Sequence, residues 1–478
     1  MDIFLHNTKS GKKERFVPIK KGEVSMYNCG PTVYDYVHVG NLRSFIFADL
    51  LRRMFEYNKY EVKQVMNITD IGHLVSDGDD GEDKMTKALK RLKKPLTLEA
   101  MREVANFYFS KFKKDIKDVN IKIPSEFPFA SDNIQEDIDL VSTLTEKGFT
   151  YKTSDGIYFD TAKYPDYGKF GNLNTTETPE SRIGVNTEKR NFRDFALWKF
   201  SGKFNNDLGY DAPFGKGFPG WHIECSAMSV KYLGPEFDVH TGGIDHIPVH
   251  HPNEIAQAVC AGYPYAHYWI HNAHLNIASK NDSENGSEKM AKSGENFITL
   301  KVLRKKKIDP LALRYVFLGA RYSSPIQFSW ESLESAEVSL SKLRAKVSEL
   351  GEKEVDTLED QKVLVKNYKK KFLESINDDL DTATALALVW DILKNESLGE
   401  KDKKKLVMGF DKVLGLKLNK KTKVKKVEIP ENIKMLVTER DIARANKDFA
   451  KSDELRKEIE SLGFEVKDTA EGTVVNPV

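Results

Sequence analysis

One stretch constrains the fold more than any other: Cys29-Gly30-Pro31-Thr32-Val33-Tyr34-Asp35, running into His38-Val39-Gly40-Asn41. Ahead of it, Val24 to Tyr27 alternates and predicts a strand; behind it, Leu42, Phe45, Ile46, Leu50 and Met54 recur at helical spacing up to Tyr57. A strand therefore enters, a Gly/Pro loop turns, and a helix leaves with a His and an Asn beside its first turn. A helix start offers unpaired N–H groups and a positive dipole end, which suits phosphate. Cys29 adds a thiol next to that turn. Tyr60 to Ile68 reads as a second strand, and strand–helix–strand order predicts a parallel pair in an α/β sheet. Ligands of such sheets bind beyond the carboxyl ends of the strands, so Thr69 and Asp70 are expected near the Cys29 loop.

The length of 478 residues implies two to four domains, and 40% apolar with 31% charged residues fits a globular protein. No apolar run approaches the roughly 18 residues of a membrane span. The first residues, Met1 to His6, lack a basic region followed by an apolar run, so no export signal is expected. Three Cys argue against a disulfide framework and for a reducing, cytoplasmic setting. The net charge of +2 is unevenly spread: Lys401 to Pro430 is rich in Lys, which fits a polyanion contact and a solvated linker equally well.

Helical spacing from Leu96 to Lys117 closes a first segment, 1–117. Residues 118–215 break the α/β rhythm with a helix (Asp132 to Lys147) and an aromatic, Gly-rich run holding the short strand Gly156 to Asp160; they read as an insertion. The rhythm resumes over 216–308. A helix opens at Trp221, and the strand Phe237 to His240 ends in Thr241-Gly242-Gly243-Ile244-Asp245. A helix begins at His250-His251-Pro252-Asn253-Glu254, and Tyr268 to His271 is a strand. A loop follows with Lys289-Met290-Ala291-Lys292-Ser293. Residues 309–428 read as a helical bundle (Pro310 to Leu318, Ser329 to Leu350, Asp360 to Asn377, Thr382 to Asn395, Lys401 to Leu414) with the basic linker. Residues 429–478 carry a helix pair and two strands. The acidic run 76–83 lacks calcium-loop spacing and reads as a solvated loop.

His250 and Glu254, four apart, share one helix face. With Cys225 at a helix start and Cys29 at a strand end, they form a donor set that suits Zn²⁺. The spacing is not that of a zinc finger, and buried core Cys plus a surface His/Glu pair fit the same pattern. Cys260 falls on the apolar face of the Glu254 helix and reads as core.

Several strings together resemble a known family. His38-Val39-Gly40-Asn41 and Lys289-Met290-Ala291-Lys292-Ser293 resemble the HIGH and KMSKS signatures of class I aminoacyl-tRNA synthetases. Asn28 to Asp35, Asn67 to Asp70, Trp221 to Met228 and His250 to Gln257 look like cysteinyl-tRNA synthetase, and Asp309-Pro310-Leu311-Ala312-Leu313-Arg314 is similar to the family's DALR element. Asn41 departs from the second His of HIGH, and Ala291 from the first Ser of KMSKS. The resemblance implies a class I Rossmann-type catalytic domain split by an insertion, then a helical bundle and a small α+β anticodon-binding unit. It implies a monomer that joins L-cysteine to tRNA(Cys) through a cysteinyl-adenylate, with ATP and Mg²⁺.

By the same resemblance, His38, Asn41, Lys289 and Lys292 contact the ATP phosphates, and Gly30, Thr32, Gly40, Gly243 and Asp245 lie along the nucleotide. Thr69, Trp221 and His240 close around cysteine. Zn²⁺ on Cys29, Cys225, His250 and Glu254 grips its sulfur, which makes an editing domain unnecessary. Arg444, Phe449, Asp453 and Asp468 match anticodon-reading positions. Two alternatives are an amino-sugar cysteine ligase of the same chemistry and a non-catalytic zinc-containing RNA-binding protein. The last fifty residues argue against the former, and His38 with Lys289 and Lys292 against the latter.

Overall fold

A computed structural model describes residues 1–71, 84–172, 187–202, 208–278, 287–289, 297–351, 359–421, 430–462, 464–469 and 472–477. The acidic run 76–83 and Lys292 lie outside them. An antiparallel hairpin, β1 (Phe4–Asn7) and β2 (Lys12–Arg15), precedes the first half of the core: β3 (Glu23–Asn28), α1 (Val39–Tyr57) and β4 (Glu61–Met66). Two helices follow, α2 (Lys84–Arg91) and α3 (Leu98–Asp118). The insertion holds α4 (Ile134–Glu146) and an antiparallel sheet of β5 (Thr150–Lys152), β6 (Gly156–Phe159), β7 (Phe195–Phe200) and β8 (Gly217–Pro219). The expected boundary at 215 thus falls just short of the last strand, because β8 still pairs with β7. The core resumes with α5 (Trp221–Leu233), β9 (Glu236–Gly243), α6 (His250–Ala261) and β10 (Tyr265–Asn272).

The central sheet is four-stranded and parallel throughout, in the order β10-β9-β3-β4. Its outer strands come from the two halves that the insertion separates. All four carboxyl ends point to one edge, where ligands of such sheets bind. The strands are mostly buried, as parallel strands covered by helices must be.

After β10 come β11 (Leu275–Ala278), β12 (Ser287–Lys289), α7 (Leu300–Lys305), α8 (Pro310–Leu318) and β13 (Ile326–Phe328). β11 runs between β12 and β13, and β12 pairs Lys289 with Asn276. The bundle is α8 with α9 (Trp330–Glu349), α10 (Glu359–Asn377), α11 (Thr382–Lys394) and α12 (Glu400–Leu414). α8 starts cleanly because Asp309 caps it and Pro310 occupies its first turn. α12 stops at Gly415, whose φ of 67° a side chain tolerates poorly. The last unit, α13 (Glu431–Ala445), α14 (Phe449–Ser461), β14 (Phe464–Thr469) and β15 (Gly472–Pro477), has its own small core of Ile433, Ile459, Val466 and Val475.

α1 ties these parts together. Its apolar residues, among them Leu42, Ile46, Leu51 and Met54, belong to the main core. On the same helix, buried Asp49 accepts from Arg53 Nε (2.7 Å) and Arg314 Nη2 (2.6 Å), and Arg314 also donates to the carbonyls of Leu414 and Val119. One turn from its start, Arg43 donates to the carbonyls of His274, Tyr322 and Ser324. Among the described residues no helix is long and apolar enough to cross a membrane.

Candidate metal and nucleotide site

The four strand ends surround a cavity of about 340 Å³. The Cys29–Val33 loop is fastened to the end of β4 by backbone bonds: Val33 N–H to Thr69 O (3.0 Å) and Thr69 N–H to Pro31 O (3.2 Å). Gly30 N–H donates to Asn67 Oδ1 at 2.8 Å. A Cβ on Gly30 would stand 1.7 Å from the Asn67 carbonyl oxygen, so only glycine fits there. On the other side Cys29 N–H reaches Thr241 O at the end of β9. Beneath the loop a buried amide chain crosses the sheet: Gln64 donates to Asn28, and Asn28 to Thr241.

Along one wall, His38 caps α1. Asn41 N–H donates to His38 Nδ1 (3.2 Å), and His38 N–H donates to Asn41 Oδ1 (3.3 Å). A backbone N–H only donates, so Nδ1 is the acceptor and the neutral ring carries its proton on Nε2. Asn at 41 is what closes this box, and it keeps the amide NH₂ outside it. The cavity wall continues through Gly40, Gly242, Gly243, Asp245 and the Asn272–Leu275 segment that Arg43 clasps. Gly30, Thr32, Thr69 and Trp221 line it as well. Lys84, at the start of α2, is a lining residue that periodicity did not single out.

At the far end lies a cluster of soft and charged donors. One donor atom each from Cys29, His250, His251 and Glu254 falls within 4.8 Å of the others. Cys225 is in hydrogen-bonding contact with both Cys29 and His250. All four residues of the expected set therefore converge, and His251, which spacing did not point to, stands with them. Outer groups hold the inner ones. His222 Nδ1 lies 2.9 Å from His250 Nδ1, so His250 turns Nε2 toward Glu254 Oε1, 3.0 Å away. His240 Nε2 and Tyr265 OH meet Glu254 Oε2 at 2.9 and 2.7 Å. His271 Nε2 holds His251 Nδ1 at 2.7 Å, leaving His251 Nε2 facing Cys29.

His240 thus does not line the cavity as expected. It is fully buried behind Glu254, stacked on Trp269 with centroids 4.3 Å apart. The alternation of β9 turns it toward α6. Trp221 does face the cavity and stacks on His250 at 4.5 Å.

The cluster's own field is uneven. Burial would push the Glu254 carboxyl up, but the His240 and His250 charges bring it well below the usual carboxylate range. Burial would lower His250, yet Glu254 and Cys225 carry it up to about 10. The bond to Cys29 and burial push the Cys225 thiol up. Burial lowers His246 to about 4, helped by His250.

In the last unit Asp468 is paired with Arg440 and Arg444, while Phe449 at the start of α14 is 64% exposed and Asp453 is exposed. Arg440, buried beneath Asp468, is the anchor that sequence reading missed.

A family model described as the class I (C) tRNA synthetase catalytic domain matches residues 15–338, and one described as the cysteinyl-tRNA ligase anticodon binding domain matches 426–474. A cysteine–tRNA ligase of Burkholderia lata is 42% identical over 99% of this chain and 96% of its own length. The chain belongs to the cysteine–tRNA ligase family. A second member, from Treponema denticola, is 38% identical over 98% of each chain. As a member of the family, this ligase joins cysteine to tRNA at the expense of ATP. The anticodon-binding match and the full-length coverage set aside the amino-sugar and non-catalytic alternatives. Among solved structures, Mycobacterium tuberculosis methionyl-tRNA synthetase with methionyl-adenylate shares the fold at 14% identity. Its TM-score is 0.54, covering 82% of this chain and 90% of that one. A putative arginyl-tRNA synthetase from Campylobacter jejuni does so at 0.53, with 14% identity, over 85% and 95%.

Proposed function

We propose that this ligase selects cysteine through a zinc ion held by Cys29, Cys225, His250 and Glu254. The observation that carries this reading is Glu254. Its Oε2 accepts from His240 and Tyr265, while its buried Oε1 faces His250 Nε2, 3.0 Å away, in poor hydrogen-bond geometry. A buried, ionised carboxylate oxygen grouped with two thiols and an imidazole suits a soft divalent cation. His251 is a further candidate at the same centre. When bound, the ion supplies a sulfur-preferring contact that separates cysteine from serine more sharply than an apolar pocket could.

The chain's own groups do the remaining work by position and charge. Thr69 and Trp221 flank the amino acid. His38 through Nε2–H, Asn41 through its NH₂ and the start of α1 offer donors to phosphate oxygens, joined by Lys289 and Lys292. Mg²⁺ is expected to accompany ATP. Gly30, Thr32 and Gly40 allow close approach, and Gly243 with Asp245 borders the nucleoside. In the last unit Arg444, Asp453 and Asp468 are the polar candidates for anticodon bases and Phe449 the stacking one; the Lys-rich linker offers phosphate contacts.

The test is Cys225→Ala, read as metal content and as cysteine- and serine-dependent pyrophosphate exchange. Zinc and cysteine activation should fall together. Retained discrimination against serine would sink the reading.

A further inference from the structure

We infer that Asn67 is a positioning residue for amino-acid selection: it ties the turn carrying Cys29 to the hydroxyl of Thr69 and so fixes the span between the two ends of the cysteine subsite. This rests on the zinc reading above. Asn67 is buried, lines the cavity and sits just past the end of β4. Its two amide atoms serve two different neighbours. Gly30 N–H lies 2.8 Å from Oδ1, and Nδ2 lies 3.2 Å from Thr69 Oγ1. The assignment is forced, because Gly30 N–H only donates; Oδ1 must face it, and the NH₂ must face Thr69.

Two consequences follow. Cys29 and Thr69 are carried by adjacent strand ends, β3 and β4, and the backbone bonds between them set their height along the sheet edge. Those bonds leave the Thr69 hydroxyl and the bend of the turn at Gly30 unfixed. The Asn67 amide fixes both, the backbone of the turn next to Cys29 and the Thr69 hydroxyl, since moving either group breaks a buried hydrogen bond. The second consequence concerns direction. Thr69 Oγ1 is an acceptor toward Asn67, so its own proton turns away, toward the buried Glu224 carboxyl, and the hydroxyl keeps one orientation.

Cysteine has a single methylene between its α-carbon and its sulfur. A site that grips sulfur at one end and the α-carbon substituents at the other needs the distance between its two ends held, and displacement of either end by a fraction of an ångström is costly. Asn67 touches neither end of the substrate; it acts through Gly30 and Thr69. Nucleotide contacts at His38, Asn41 and Gly243 lie on other walls, and the one at Gly30 depends only on the bond to Oδ1, which a carboxylate at 67 keeps.

The test is Asn67→Asp, which has the same shape. One oxygen still accepts from Gly30 N–H, but the other cannot donate to Thr69, and the hydroxyl must reverse. In pyrophosphate exchange the KM for cysteine should rise about tenfold, with the KM for ATP and the zinc content unchanged. Combined with Thr69→Val, the loss should be no greater than that of Thr69→Val alone, because the two residues act as one unit. Where Asn67→Asp does not accumulate as folded protein, Asn67→Ser, its hydroxyl too short to join both groups, is read for the cysteine KM and the zinc content alone. A cysteine KM that stays put, an equal rise for ATP, or effects that simply multiply in the double variant would overturn the inference. Loss of zinc in Cys225→Ala is read separately, so failure of the metal reading is told apart from failure of this one.

Discussion

Replacing Glu254 by Gln isolates the charge at the centre of the site. Oε2 of the native carboxylate accepts from His240 Nε2 and Tyr265 OH, both donors. A Gln must therefore turn its carbonyl oxygen to that side, which leaves its NH₂ at the position of Oε1, 3.0 Å from His250 Nε2. An amide NH₂ cannot ligate a cation. Helix α6 and its packing stay as they are, because the two side chains have the same shape. Two charge-assisted bonds become neutral ones, each losing about half its worth, and the His250 pairing is lost as well, so the metal-free fold weakens by more than about 2 kcal/mol. Metal affinity should fall by more than the roughly 10–100-fold that loss of an outer partner costs, since both a ligand and a charge are gone. The assay is zinc retained on dialysis against a chelator of known affinity, followed by cysteine-dependent pyrophosphate exchange at saturating zinc. If Glu254→Gln held zinc within about threefold of the native protein, the role assigned to this carboxylate would be wrong.

Arg314→Met should destabilise the protein by about 3 kcal/mol in urea unfolding, because the Leu414 and Val119 carbonyls lose their donor while Asp49 keeps Arg53 and the Lys122 N–H; a loss below about 1 kcal/mol would contradict the bridging role. Burial pushes the Cys260 thiol up to about 11 against a small opposing effect of Lys147. Only roughly a thousandth is thiolate at pH 8, so iodoacetamide on the native protein should spare Cys260, with labelling rising only as the pH nears 11. Removing residues 429–478 takes away a unit with its own core. Exchange of pyrophosphate should survive and tRNA charging should weaken; normal charging by the truncated chain would separate this unit from tRNA.

Much of the site was legible because its signals are short. The Gly/Pro turn at 29–31, the His38 helix start and the four-residue spacing of His250 and Glu254 are local patterns, and local geometry fixes what they can do. Strand and helix order likewise exposed the split parallel sheet, since β3–α1–β4 and β9–α6–β10 each repeat one rhythm. What escaped depends on pairings across the fold. Nothing in the sequence brings His240 and Tyr265 to Glu254, or His271 to His251; parallel pairing of β9 with β10 does that. Arg314 was visible only as the end of a motif, whereas its partners lie on α1, on α12 and after α3. α2 was missed because its apolar positions span barely two turns. Asn67 belonged to a recognised string, but its double attachment needs the two strand ends side by side.

Helix α1 has a consequence for how such a ligase can change. Its first turn faces the cavity at the strand ends, Arg43 near that turn grips the segment leading into β11, and Asp49 and Arg53 a turn or two later lock onto the bundle. One rigid rod thus serves two clients. Grafting the bundle of a distant relative onto this catalytic half would leave Asp49 facing strangers, so a working hybrid must carry the rod across together with whichever helices it clasps.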